Sequence, residues 1–114
     1  MTETLPRVLA RRATEAGAEL ELELQPELLW FRGHFPGTPI LPGVVQIHWA
    51  LHFAAEALGL GVAAATDFQV KFKAILSPGD RPSLALALGP AGRHLDFTYR
   101  RGEQVFSTGR IRLP

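Results

Sequence analysis

The sequence predicts an α+β fold in which an antiparallel sheet covers one long helix. The run Glu19-Leu20-Glu21-Leu22-Glu23-Leu24 alternates acid and leucine strictly, as in a strand with one face in water and the other in a core. Residues 42–58 are apolar almost throughout, which is typical of a buried helix. Short alternating segments separated by turn residues follow after Gly61. Strands of this kind around one buried helix define the class.

Each element has its own signal. An apolar stretch at residues 7–13 predicts a first strand or a short lead-in, and Gly17 separates it from the alternating strand at 19–24. Pro42 suits a first helical turn and Gly59 suits the position just beyond the last turn, so we expect a helix over 42–58. The later strands are predicted at 64–75, 83–88, 93–100 and 104–113, with turns between them.

Length and composition favour one globular domain over residues 1–114. The chain has 114 residues and 46% hydrophobic content, which suits a single core. It has no cysteine, so disulfides, thiolate metal sites and a cysteine nucleophile are excluded, and a reducing cytoplasm is compatible with the composition. We expect neither a secretory signal nor a membrane span, because no apolar run has the required form or length.

The net charge of +1 is unevenly distributed. Residues 1–67 carry four basic and eight acidic side chains, whereas residues 68–114 carry eight basic and three acidic ones, so their net charges are −4 and +5. The cationic half would suit an acidic partner or phosphate groups, and an arginine-rich solvated sheet face would give the same pattern. No nucleic-acid-binding motif accompanies the basic residues, so we expect no nucleic acid partner.

The most informative segment is the run Phe31-Arg32-Gly33-His34-Phe35-Pro36-Gly37-Thr38-Pro39-Ile40-Leu41-Pro42-Gly43-Val44-Val45. It holds one histidine among three prolines and three glycines and then opens the helix. Proline fixes φ and removes amide donors, while glycine allows a close approach to a ligand, so the loop is predicted to be preorganised. A titratable group in such a frame is a candidate site residue.

These residues resemble the 3-hydroxyacyl-thioester dehydratases of the hot-dog fold, the FabA/FabZ type. Residues 34–44 fit every fixed position of the family pattern His-Phe-Pro-Gly-x-Pro-x-x-Pro-Gly-Val. Residues 70–73 resemble the family's third strand, and residues 78–80 resemble the turn that follows it. Residues 40–47 are closest to the ApeI-like branch, which is associated with aryl-polyene lipid synthesis. The resemblance implies a hot-dog fold, an antiparallel sheet wrapped around one central helix.

The resemblance also implies roles for residues at matching positions. His34 would be the base that removes a proton from the carbon next to the thioester carbonyl, for which imidazole titrates in a useful range. Gly43 would donate its backbone N–H to the thioester oxygen at the helix start, where unpaired amides and the dipole favour negative charge.

One position departs from the family pattern. The family carries Glu or Asp fourteen residues after the loop histidine, and this chain has His48 there. As an imidazolium, His48 would protonate the leaving hydroxyl, whereas a neutral imidazole would only hydrogen-bond to it. His48, His52 and Glu56 share one helix stripe. Either Glu56 orients His52 in support of His48, or both face solvent or a subunit interface. A zinc site is disfavoured because no third ligand accompanies the two histidines.

Substrate contacts are expected from the loop and the helix start. They comprise Phe35, Pro36, Gly37, Val44 and Trp49, of which Phe35 and Trp49 adjoin the two histidines and are the better candidates for touching an acyl chain. Arg32, Lys71 and Lys73 would meet pantetheine phosphates or an acidic carrier protein, or would simply form a solvated face.

Two function classes remain open at this stage. The first is dehydration of (3R)-hydroxyacyl thioesters, carried on acyl carrier protein or coenzyme A, to trans-2-enoyl thioesters without metal or redox cofactor. The second is a thioester-binding protein or thioesterase in which His48 marks lost or altered catalysis. In the family the two histidines would meet across a dimer interface, so we expect a homodimer or a higher even oligomer.

Overall fold

The sheet and helix follow the predicted order. The computed structural model describes residues 3–32, 37, 39–60 and 67–113. Its elements are β1 (Arg7–Ala13), β2 (Gly17–Glu23), a 3₁₀ turn (Leu29–Phe31), α1 (Gly43–Leu58), β3 (Phe68–Phe72), β4 (Ser83–Leu88), a second 3₁₀ turn (Pro90–Gly92), β5 (His94–Arg101) and β6 (Gln104–Arg112).

All six strands form one antiparallel sheet. Its order is β1-β2-β4-β5-β6-β3, so β1 and β3 are the edge strands. The alternating segment behaves as predicted, since Leu20 and Leu22 of β2 are buried while Glu19 and Glu21 face outward. The helix α1 lies against the buried face and contacts β2 and β4. The sheet therefore wraps around one central helix.

The helix limits are close to the predicted ones and have local causes. Pro42 lies just before the first helical residue, with φ −61° and ψ 145°, so it caps the helix instead of entering its first turn. Gly59 ends the helix in the left-handed conformation at φ 68°, which glycine adopts without steric cost. Buried side chains of α1 include Trp49 and Phe53, which join the apolar cluster formed with the inner face of the sheet.

Four strands differ from the predicted ranges, and β5 and β6 do so by no more than one residue at either end. The strand expected at 64–75 is regular only over Phe68–Phe72, while residues 64–66 lie outside the described part. The amides of Lys73 and Ala74 both donate to the Phe106 carbonyl, at 2.8 and 3.1 Å, so the one-to-one ladder ends there. The strand expected at 19–24 runs from Gly17 to Glu23.

Candidate active site

The amino end of α1 presents backbone amides that the helix itself does not use. Pro42 O accepts hydrogen bonds from Val45 N and Gln46 N, at 3.1 and 3.3 Å. The preceding amides, those of Gly43 and Val44, donate to no acceptor within the described residues. Helix starts leave such donors free, and the helix dipole makes them favourable partners for negative charge. This helix start has the chemistry of an oxyanion site.

Gly43 also fills a steric role that sequence reasoning did not predict. A Cβ atom added there would lie 2.5 Å from the ring of Phe72, the last residue of β3. Such a separation is far inside van der Waals contact, so only glycine fits without movement of the ring. Phe72 is 54% exposed, and its ring therefore covers the helix start from the edge of the sheet.

A buried polar cluster anchors the helix start to the sheet. The Ser107 hydroxyl donates to Gln46 Oε1 at 2.6 Å, Gln46 Nε2 donates to the Leu41 carbonyl at 3.3 Å, and the Tyr99 hydroxyl donates to the Gln46 carbonyl at 2.7 Å. Burial raises the pKa of Tyr99 well above its ordinary value, so this hydroxyl stays a donor. Sequence analysis missed this cluster, although a lone glutamine in an apolar helix was its signal.

The outward face of α1 carries one stripe of side chains at four-residue spacing. Val44 is 61% exposed, His48 is exposed, His52 is partly exposed, and Glu56 is exposed. His48 therefore lies one turn beyond the free amides, on the side of the helix that the sheet does not cover. The position that departs from the family pattern is thus accessible to a ligand or to a second chain.

A cavity of about 440 Å³ opens beside this stripe. Its volume lies within the range of about 300–1,000 Å³ that is typical of small-molecule sites. The helix and the segments beside it supply a mostly apolar lining of Thr4, Leu5, Trp30, Val44, Val45, His48, Trp49 and His52. Of the predicted site residues, the structure brings His48, Val44 and Trp49 together here, next to Gly43. Trp30, Thr4 and Leu5 were not among the predicted site residues.

His52 has a defined environment on the stripe. Its Nε2 atom lies 3.4 Å from Glu56 Oε2, and Arg11 Nη1 of β1 lies 3.6 Å from Glu56 Oε1. The imidazole also packs edge-on against Phe53 with ring centroids 5.0 Å apart. The predicted contact between Glu56 and His52 therefore exists, and support of His48 by His52 stays a prediction.

The remaining predicted site residues lie elsewhere or outside the described part. His34, Phe35 and Pro36 fall among the residues that the structure does not describe. Arg32 is exposed after the first 3₁₀ turn, and Gly37 is exposed with φ 82°. The roles expected of these five residues therefore remain predictions.

The two lysines are not brought to the helix cavity. Lys71 pairs in register with Thr108, and both line a separate open concavity on the outer face of the sheet together with Thr98. Lys73 is exposed just beyond β3. A contact between Lys71 and a ligand in the cavity of α1 would have to pass around the sheet edge.

Four arginines pair with two glutamates of β2. Glu23 Oε2 lies 2.9 Å from Arg81 Nη2 and Glu23 Oε1 lies 3.1 Å from Arg7 Nη1, while Glu19 pairs with Arg12 and, at 3.4 Å, with Arg100. The hydrogen bond from Arg12 lowers the pKa of Glu19. Hydrogen bonds from Arg7 and Arg81 lower the pKa of Glu23. These arginines therefore bind carboxylates on the outward face of the sheet, as in the solvated-face interpretation.

Across residues 3–32, 37, 39–60 and 67–113, no three His, Asp or Glu side chains come together as a metal-binding group. No helix within these same ranges is long and apolar enough to span a bilayer.

Comparisons with known proteins agree with this geometry. The family described as ApeI-like, ApeI dehydratase, matches residues 10–110. A chain of the dehydratase heterocomplex ApeI:P from Xenorhabdus doucetiae superposes with a TM-score of 0.86 at 37% identity, covering 96% of this chain and 98% of that one. This match confirms the hot-dog fold.

Curated relatives carry the name 3-hydroxyacyl-[acyl-carrier-protein] dehydratase FabZ. The protein from Clostridium botulinum (strain Eklund 17B / Type B) is 33% identical over 104 residues, covering 76% of this chain and 73% of the relative. The protein from Legionella pneumophila (strain Philadelphia 1) is 36% identical over 86 residues, covering 65% of this chain and only 55% of the relative. The helix start, the cavity beside it and these matches lead to one conclusion: the chain belongs to the ApeI-like family of hot-dog dehydratases.

Proposed function

We propose that this protein dehydrates (3R)-3-hydroxyacyl thioesters to trans-2-enoyl thioesters, with the acyl group carried on acyl carrier protein. The observation that carries the proposal is the juxtaposition at α1. The amides of Gly43 and Val44 find no acceptor among the described residues, and Val44 lines an apolar cavity together with His48. An apolar cavity suits an acyl chain, and free amides suit the oxygen of its thioester. The names of the FabZ and ApeI relatives support the same reaction.

The reaction needs one proton removed and one delivered. In the proposed mechanism, neutral His34 takes the proton from C2. The thioester oxygen gains negative charge while it accepts a hydrogen bond from the Gly43 N–H. The electron pair then forms the C2–C3 double bond as the C3–O bond breaks. His48, as an imidazolium, gives its proton to the departing hydroxyl, which leaves as water. Proton transfer from His34 to His48 through solvent restores both groups, and no metal or redox cofactor is required.

The exposed position of His48 supports a site completed by a second subunit. The helix start and the neighbouring edge of the sheet expose Val44, Phe68, Phe72 and Ile75, each between 46% and 61%, and β3 is an edge strand of the sheet. Exposed apolar groups beside a free edge favour association. We propose a homodimer in which His34 of one subunit faces His48 of the other.

The first experiment is a direct assay with 3-hydroxyacyl and trans-2-enoyl thioesters. Interconversion is expected without release of free thiol, and His34→Ala is expected to abolish it. His94→Ala is the matched control, since His94 lies in β5 and its imidazole contacts Asp96 at 3.8 Å. Unchanged turnover in His34→Ala would refute the base assignment. Free thiol as the main product would favour the second function class, a thioesterase.

A second experiment addresses the departure at position 48. His48→Glu restores the family carboxylate at an exposed helix position, where the fold tolerates the change. A large loss of turnover is expected if the imidazole delivers the proton. A higher rate would show that histidine at this position is less effective in catalysis than the carboxylate.

Oligomeric state and carrier are tested separately. Sedimentation at micromolar concentration is expected to give a dimer. A monomer would contradict the shared site, and a dimer that forms only with a related chain would favour a heterocomplex.

Binding to acyl carrier protein is expected to weaken with added salt if Arg32 contributes to docking. We also propose a cytoplasmic location, consistent with a chain that has no cysteine, and cell fractionation tests it.

A further inference from the structure

The cavity beside α1 is bounded by a segment from the beginning of the chain. We call residues 3–6 the N-terminal strap. Its Thr4 and Leu5 line the cavity together with Trp30 and the outward stripe of α1. The Leu5 side chain is 39% exposed, so it lies at the rim of the cavity and not in the core.

Both tryptophans of the chain hold this strap in place. The indole Nε1 of Trp30 and that of Trp49 donate to the same acceptor, the Thr4 carbonyl, at 2.8 and 3.0 Å. Because both indole N–H groups are bonded to the strap, they are not available to a ligand. The indole rings therefore contribute apolar surface to the cavity.

A buried glutamine fixes the two sides of the strap. Gln25, only 2% exposed, donates from Nε2 to Glu3 Oε1 at 3.0 Å and to the Leu5 carbonyl at 2.9 Å, and its Oε1 accepts from Arg7 N at 3.1 Å. The Leu29 amide adds a bond of 2.9 Å to the Glu3 carbonyl. These bonds hold the backbone of the strap at three successive residues, so the Leu5 side chain is kept at the rim of the cavity.

We propose that the N-terminal strap determines the length of acyl group that the site accepts, with Leu5 as the specificity-determining residue. The inference rests on the proposed function, which places the thioester at the start of α1. An acyl tail that begins beside Gly43 and His48 extends along the apolar indole faces until it meets Leu5. The ligand is thus an apolar acyl chain, because the lining beyond the histidines offers it little hydrogen bonding.

The test compares Leu5→Phe and Leu5→Ala with Leu9→Phe as a matched control. Leu9 lies in β1, is 49% exposed and does not line the cavity. We expect Leu5→Phe to lower kcat/KM for a long 3-hydroxyacyl thioester relative to a short one by about tenfold. Leu5→Ala shifts the preference toward the longer acyl group by about fourfold for each methylene newly accommodated. Leu9→Phe leaves the ratio unchanged.

A binding readout separates this inference from the proposed function. The chain has two tryptophans and both line the cavity, so their fluorescence reports occupation by enoyl thioesters whether or not turnover occurs. If no variant turned over substrate, but binding depended on acyl length and Leu5 substitutions shifted that dependence, the proposed function would be refuted. The assignment of the strap would still hold. Turnover with the same length preference in all three variants and the wild type would overturn the strap assignment. Should Leu5→Phe unfold, Leu5→Ala gives the same decision.

Discussion

The proposed role of Gly43 as the oxyanion donor can be tested by a substitution that removes its backbone N–H. Gly43 is the first residue of α1, the position at which helices accept proline most readily because its N–H has no acceptor within the helix. The preceding Pro42 already has φ −61° and ψ 145°, the extended conformation that a residue before proline prefers. Gly43→Pro therefore removes the proposed donor while it preserves the backbone path.

The matched control is Gly43→Ala, which keeps the amide. Both variants carry a Cβ atom, so both meet the Phe72 ring at the same place, 2.5 Å away before any relaxation. Phe72 is 54% exposed and has room to turn toward solvent. Comparison of the two variants with each other cancels the contact of Cβ with Phe72. The variants then differ in the N–H group and in the Cγ and Cδ atoms that proline adds. We expect their free energies of unfolding to agree within about 1 kcal/mol.

The expected magnitude follows from oxyanion sites in general. Loss of one donor costs about 10²–10³ in kcat, or about 3–4 kcal/mol of transition-state stabilisation. We therefore expect Gly43→Pro to dehydrate a 3-hydroxyacyl thioester about 10²-fold or more slowly than Gly43→Ala, measured as steady-state kcat with urea unfolding as the stability control. If both variants turned over at similar rates, the Gly43 amide would not be the donor.

Three further predictions concern stability and the helix stripe. Ser107→Ala leaves the buried Oε1 of Gln46 without its donor, so urea unfolding should show a loss of about 1–3 kcal/mol; a change near zero would contradict the anchoring role. The folded-state pKa of Glu19 is lowered. The stabilisation that Glu19 provides is therefore present above the ordinary glutamate pKa and is lost as pH falls through the lowered value. We expect Glu19→Gln to reduce the melting temperature near neutral pH and to have no such effect in acid. Glu56→Gln should lower kcat about two- to fivefold if Glu56 orients His52, and an unchanged rate and pH profile would show that this pair only faces solvent.

Sequence reasoning predicted well wherever a local rule decides the structure. Alternation of Glu and Leu in 19–24 places one set of side chains in the core and the other in water whatever the partner strand is. Pro42 and Gly59 limit the helix through their own backbone preferences. The strand expected at 64–75 was too long because the carbonyl of Phe106 receives two amides, a pairing that no local pattern contains.

The candidate site divides in the same way. Gly43 could be proposed as a site residue because the motif and the helix start lie in one short segment. Trp30 and Trp49 meet the Thr4 carbonyl from 26 and 45 residues away, so no periodicity could reveal that they bind one acceptor. The alternation along β3 places Lys71 and Phe72 on opposite faces of the strand. Only the strand register shows that Lys71 faces the outer concavity.

By itself the sequence determined the α+β class, the limits of the helix, the family motif and the departure at His48, because these depend on neighbouring residues and on the conformations that proline and glycine allow. Only the tertiary structure decided that Arg81 and Arg100 of the cationic half pair with Glu23 and Glu19, and that the beginning of the chain lines the cavity. Those outcomes depend on which distant segments the sheet and helix bring within a few ångströms, and many sequences with the same local pattern would arrange them differently.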